Sequence, residues 1–297
     1  MVPEQTSLSI SLDRVLKLGR EASYRIGRGW LLALPISMLL VLFLLPLAIM
    51  VRQSFSGEDG TLSTYISIAT NPALFWPLVY TFRTAASVTV TALLISYPVA
   101  YVLSGMTGRW LNIAVALILI PFWTSTVIRT YAWMVLVQRN GIVNDMLVAA
   151  GLVDRPLRLI GSDPVVQIAM VHLMLPFMLL PLLSSFRGID RLYLRAASVL
   201  GANPLRQFRH VFLPLSMPGV TAGCALVFIS SLGFYVTPAL LGGSQQMMSV
   251  VIEQQASRLL NWPMASALGT VLLVITAAMF FAYERAISAT SRQRGKK

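Results

Sequence analysis

The chain has 297 residues, 56% of them apolar and 11% charged. A soluble domain carries about 25% charged and about 45–50% apolar residues, so this composition excludes an ordinary water-soluble enzyme and any disordered or collagen-like chain. Its 23 Lys and Arg outnumber 11 Asp and Glu, a formal charge of +12 that fits a nucleic-acid partner or a membrane surface until the basic residues are placed.

Near the N-terminus the sequence reads SLSISLDRVLKL, with Leu8, Leu12, Val15 and Leu16 at helical spacing among charges. Segment 1–30 therefore reads either as an amphipathic helix lying on the membrane or as a solvated tail. An uncharged run over 31–51 follows. It is long enough to cross about 30 Å of hydrocarbon at about 1.5 Å per residue. It is also too long, and too well followed by others, for a cleaved signal peptide. Further apolar runs lie at 85–103, 110–128, 165–186, 219–241 and 265–283. The predicted fold class is all-α: a polytopic membrane protein with six transmembrane helices, each satisfying its own backbone groups.

Proline interrupts several spans, at Pro35, Pro46, Pro98, Pro121, Pro176 and Pro181. These residues mark either plain kinks or broken helices that line a pathway, because neighbouring helices in a bundle can re-satisfy the freed carbonyls. Gly219 and Gly223 stand four apart and favour close helix contact.

With a cytoplasmic N-terminus and alternating spans, 16 of the 23 basic residues fall inside and 7 outside. Net charge is then +11 on the inner face and +1 on the outer one. The positive-inside rule selects this orientation, with both termini cytoplasmic, and no nucleic-acid partner is needed to explain the charge.

Motifs for self-contained chemistry are missing. Cys224 is the one cysteine, so no internal disulfide forms, and no cysteine–histidine cluster has metal spacing. The chain lacks a G-x-x-x-x-G-K-[ST] phosphate loop, a G-x-S-x-G elbow and a His-Glu-x-x-His pair. With His172 and His210 as its only histidines, it reads as a non-enzyme that needs no cofactor.

The segment DRLYLRAASVLGANPLRQFRHVFLPLSMPG, from Asp190, is the most structured polar stretch. Leu192, Ala196, Val199 and Leu200 share one helical face, and Gly201 is a natural helix stop. Asn203 and Pro204 restart a helix as cap and first residue. Leu205, Phe208 and Phe212 give that helix an apolar ridge, which Pro214 and Pro218 are expected to end. The result is a compact helix–turn–helix plug suited to docking into a partner, or else an interfacial loop with snorkelling arginines.

Ala196-Ala197, Gly201-Ala202, Phe208 and Leu213-Pro214-Leu215 resemble the Glu-Ala-Ala…Gly loop in permease subunits of binding-protein-dependent ABC importers. More narrowly, Pro121-Phe122-Trp123-Thr124-Ser125, Ile128-Arg129-Thr130-Tyr131, Leu175-Pro176-Phe177-Met178 and Pro181-Leu182 resemble the spermidine/putrescine transporter permeases. So do Met217-Pro218-Gly219, Ala222-Gly223-Cys224, Phe234-Tyr235 and Leu241-Gly242-Gly243. The similarity runs over about 31–284. It implies the type I ABC importer permease fold in a bacterial inner membrane. The six-helix domain would be 31–284, with a coupling loop at 188–214 and a basic cytoplasmic tail at 285–297.

The resemblance also implies partners: a second, non-identical permease subunit, two cytoplasmic ATPase subunits and an external periplasmic solute-binding protein. The loop residues that would meet the ATPase are Arg195, Ala196, Ala197, Gly201, Ala202, Asn203, Pro204, Phe208, Leu213 and Pro214. One departs from the family pattern, since Arg195 stands where the family has an acid.

The implied cargo is a linear polyamine or a related cationic or amino-acid-like solute, with an amino acid or opine as the alternative. No span has an Asp or Glu at its centre, so a polycation would rely on aromatic faces, at about 0.5–2 kcal/mol per contact. Pathway candidates are Trp123, Tyr131, Trp133, Phe234 and Tyr235, with Glu253 as the nearest acid; the same aromatics also suit an interfacial belt, and Glu253 an exposed loop. Arg129 either snorkels to the outer headgroups or lines the pathway, where it would repel a polyamine. His172 reads as a neutral ring bonded to a neighbouring helix, or as a proton relay. A self-sufficient ion-coupled carrier would show inverted repeats or mid-membrane charges, and the sequence shows neither.

Overall fold

The computed structural model describes residues 33–56 and 63–294. The amphipathic segment expected within 1–30, and residues 295–297 of the basic tail, lie outside the described residues. Every regular element among the described residues is helical. The chain runs α1 (Ala33–Ser54), α2 (Ser63–Thr70), α3 (Pro72–Gly105), α4 (Arg109–Leu119), α5 (Thr126–Val137), α6 (Ile142–Ala149) and α7 (Asp163–Arg187). It continues through α8 (Arg191–Val199), α9 (Pro204–Gln207), α10 (Leu213–Leu232), α11 (Val236–Leu241), α12 (Met248–Glu253) and α13 (Trp262–Arg294).

Five helical stretches among the described residues are long and apolar enough to span a membrane, and a bent pair, counted as one broken span, brings the number to six. The expectation of six spans is met on that count, but several boundaries differ.

The second span is longer than 85–103. Asn71 caps α3 by accepting from the Ala73 N–H at 3.0 Å, and Pro72 occupies the first turn, where its missing N–H costs nothing. From there α3 runs 34 residues without a break.

The third span is not one helix over 110–128. α4 passes into a tight turn at Ile120–Trp123, and the chain then turns by 94° into α5 and α6. Pro121 cannot donate to the helix ladder, and both the N–H and the hydroxyl of Thr124 fold back onto its carbonyl oxygen, at 3.2 and 2.7 Å.

The fifth span starts earlier and stops earlier than 219–241. α9 and α10 form one continuous stretch, Pro204–Leu232, and Pro214 and Pro218 do not end it. A π-turn at Phe208–Phe212, closed by the Leu213 N–H on the Phe208 carbonyl, brings Pro214 into the opening turn of α10. The helix ends instead at Gly233, and after Tyr235 the short α11 begins.

α7 is the central post, packed between α3 and α10. Of its most apolar stretch 61% is buried, against none for α1. Met170, Met178 and Leu182 are fully enclosed there. Pro176 and Pro181 are accommodated inside α7 without a break. The α7–α10 seam is tight because Gly219 and Gly223 face it: a side chain on Gly223 would meet the Met178 Sδ at 2.8 Å. α1 is tied down at its C-terminal end, where Ser54 and Tyr65 share a hydrogen bond of 2.6 Å. α13 carries on to Arg294, so residues 286–294 of the expected tail continue its helix beyond the candidate span Trp262–Arg285.

Candidate functional site

At one end of the bundle α8, α9 and the π-turn form the predicted plug. The Asp190 carboxylate caps α8 by accepting from the Leu192 N–H at 2.8 Å, and Gly201 takes φ +81°, the left-handed stop that a glycine permits. Asn203 caps α9 by accepting from the Arg206 N–H at 2.8 Å. Gln207 holds the two helices together, donating to the Ser198 hydroxyl at 3.0 Å and the Ala202 carbonyl at 2.8 Å.

The apolar face of this plug points outward. Val199 and Leu200 are each 87% exposed, and Leu192, Tyr193 and Leu205 are also open. Arg195 and Ala196 are exposed beside them, and Ala197 and Ala202 are half-buried. An exposed apolar patch of this kind suits contact with a protein partner or with the membrane surface.

Behind the patch, five rings lock the plug to the spans. Phe212 packs edge-on against Tyr101 at 4.9 Å and Phe186 at 5.0 Å, and stacks with Phe208 at 6.0 Å. Tyr97 meets Phe186 at 4.9 Å and Phe208 at 6.0 Å, and its hydroxyl bonds Ser216 at 3.0 Å. Three spans, α3, α7 and α10, thus converge on the π-turn. Leu213 and Pro214, the end of the expected loop, belong to the α10 helix.

The pathway candidates divide into groups. Arg129, Tyr131 and Trp133 all lie on α5, just past the break in the third span. The Trp133 indole N–H donates to His172 Nδ1 of α7 at 3.3 Å, the inter-helix bond expected of a neutral histidine. Arg129 is half-buried: one amino group reaches the Thr126 hydroxyl at 3.4 Å, and its Nε is buried without a partner.

Phe234 and Tyr235 occupy the break between α10 and α11. α5, past the break in the third span, meets α11, past the end of the fifth, directly, since the fully buried Thr130 and Thr237 hydroxyls bond at 2.9 Å. Ser249 braces the second break, donating to the Phe234 carbonyl at 2.8 Å. Trp123 stands apart, 88% exposed at the Pro121 turn. Glu253 ends α12 and, among the described residues, bonds none of the aromatic candidates.

Sequence reading missed a cavity of about 610 Å³ at the far end of α3, lined by Trp76, Tyr80, Arg83, Gln245 and Gln246. The signal lay in the continuity of residues 72–84 with the span, masked by Arg83. Tyr80 anchors that end by donating to Asp163 Oδ1 at 3.0 Å.

Comparison with known proteins settles the architecture. Residues 160–288 match the family described as "Binding-protein-dependent transport system inner membrane component". The chain is 35% identical over 271 residues to the spermidine/putrescine transport system permease protein PotB of Haemophilus influenzae, covering 88% of this chain and 94% of that protein. The chain belongs to the binding-protein-dependent inner-membrane permeases. It is also 32% identical over 257 residues to PotB of Escherichia coli, covering 83% of this chain and 93% of that one. In fold it is similar to a chain in the crystal structure of a bacterial alginate ABC transporter in complex with alginate pentasaccharide-bound periplasmic protein. That match has a TM-score of 0.72 at 17% identity and covers 88% of this chain and 94% of the other. The protein is therefore an ABC importer permease of type I fold, a multi-pass component of the inner membrane. A self-sufficient ion-coupled carrier is not supported.

Proposed function

We propose that this permease carries a linear polyamine, putrescine or spermidine, across the inner membrane. The observation that carries the reading is its 35% identity, over 94% of their length, to a permease named for spermidine and putrescine transport. It works with a second, non-identical permease subunit, two cytoplasmic ATPase subunits and an external solute-binding protein. Both of its termini are cytoplasmic, as the inward bias of basic residues favours. Hydrolysis belongs to the ATPase partners.

The coupling loop works as a lever. Leu192, Val199, Leu200 and Leu205 enter a groove on the ATPase, with Arg195 at the edge of the contact. When the ATPase pair closes, the plug moves as one body because Gln207 ties α8 to α9. The ring cluster around Phe208 and Phe212 hands that motion to α3, α7 and α10 together. The breaks at Pro121 and Gly233, joined through Thr130 and Thr237, are where the spans re-tilt. Trp133, Tyr131, Phe234 and Tyr235 offer the aromatic faces a cation needs, and Arg129 beside them disfavours a lingering polycation.

Calorimetry on the cognate solute-binding protein tests the cargo. We expect saturable heat with putrescine or spermidine; tight binding of an amino acid or opine with none for polyamines overturns it. Co-purification tests the machine, since transport that persists without an associated ATPase would contradict it.

A further inference from the structure

We propose that the cavity between the C-terminal end of α3 and the α7–α8 turn binds the phosphodiester of an anionic phospholipid, held by Arg187 and Arg191. The cavity is about 320 Å³, and it is built like an amphiphile. Phe186 and Phe212 give it apolar lining, the exposed Tyr101 and Val102 of α3 lie at its rim, and Arg187 and Arg191 supply its charged lining.

Its depth fits a headgroup. The apolar run 85–103 within α3 is about 29 Å long, close to the thickness of about 30 Å of hydrocarbon, so Ser104 and Gly105 just beyond it fall at the headgroup layer. Arg187 is the last residue of α7 and lies at the same end. Basic pockets between spans at this level are the usual seats of anionic headgroups.

The charges are uncommitted. Arg191 makes one hydrogen bond, from Nη2 to the Ser104 carbonyl at 3.2 Å, and neither arginine has an ion pair among the described residues. Asp190, their neighbour in sequence, is engaged with the Leu192 N–H at 2.8 Å. The cavity also lies off the outward face of the plug: Leu194 lines it, while Leu192, Val199 and Leu200 point away into the open. A lipid seated there leaves the outward face free and braces the plug against α3.

The test uses the full-length chain in detergent, delipidated and titrated with phosphatidylglycerol or phosphatidylcholine of matched acyl chains, read by native mass spectrometry. At about 1 kcal/mol per arginine, we expect phosphatidylglycerol to bind at least about fivefold tighter than phosphatidylcholine. Arg187→Gln changes an exposed side chain and should remove much of that preference, whereas Arg187→Lys should keep most of it. Gly105→Val keeps both charges but crowds Arg191 Nη2, which lies 3.5 Å from a Cβ at that position, and should weaken phosphatidylglycerol as well. Equal binding of the two lipids overturns the proposal. So does full discrimination in Arg187→Gln, or displacement of phosphatidylglycerol by inorganic phosphate at comparable concentration, which would make this a free-phosphate site.

Discussion

Gly219 of α10 lies directly against Ser185 of α7: a Cβ there would press on the Ser185 side chain and come within 2.9 Å of the Pro181 carbonyl oxygen. One turn further on, Gly223 faces Met178 in the same way. The obstacles differ in kind. At Gly219 the neighbour is backbone and a short side chain, which cannot retreat, while at Gly223 it includes the flexible tip of a methionine.

Gly219→Val should therefore destabilise the α7–α10 seam by about 1–3 kcal/mol, the usual penalty for overpacking. Gly223→Ala should cost less, because Met178 can change rotamer. Thermal unfolding of the purified complex, followed by size-exclusion chromatography, orders the two; a milder effect at Gly219 would contradict the packing described.

The hydroxyl bridge between α5 and α11 calls for a double-mutant cycle. Thr130 donates to the Thr126 carbonyl at 2.9 Å and accepts from Thr237 at 2.9 Å, with both side chains fully buried. Thr130→Val leaves the Thr237 hydroxyl stranded and should cost about 1–3 kcal/mol. The Thr130→Val/Thr237→Val pair should cost less than the sum of the singles. Additive losses would mean that the bridge does not join the two breaks.

These two cases separate what the sequence discloses from what it hides. The Gly219–Gly223 spacing, the Gly201 stop and the Asn203 cap are local signals, and each is realised where it was expected. The Thr130–Thr237 pair joins residues 107 apart and has no local signature. Proline is ambiguous for a related reason. Pro176, Pro181 and Pro218 sit inside unbroken helices, whereas Pro121 breaks one, because the outcome depends on which neighbours take up the freed carbonyl. The π-turn before Pro214 likewise packs against rings from two distant helices, Tyr97 and Tyr101 of α3 and Phe186 of α7. The N-terminal part of α3 was hidden by Arg83, a charge that lines an open cavity and so is tolerated on a long helix.

The ring cluster makes a prediction about coupling. Phe208 sits between the plug and the spans, touching Tyr97, Tyr101 and Phe212. Phe208→Ala should leave the outward face of the plug intact, so the assembled complex should still form. Binding-protein-stimulated ATPase activity should nonetheless fall severalfold, since the lever then slips against α3. Loss of assembly with full activity in the residual complex would place Phe208 in the docking surface instead.

Arg195 offers a sharper test of the ATPase contact. It is exposed on α8, beside Ala196 and one turn before Val199. If this position meets the ATPase as proposed, an acidic residue is expected to face it on the native ATPase, in place of the base that would face the family's acid. Arg195→Glu should then weaken assembly by about 1–3 kcal/mol, with lower ATPase coupling, because two like charges would meet at the rim. Salt should soften the defect, since an exposed pair is screened over about 8–10 Å. Reversing the acidic partner to Lys or Arg should restore assembly with Arg195→Glu and impair it with the native chain. Unchanged assembly and coupling in Arg195→Glu with the native ATPase would show that the charge at this position takes no part in the contact.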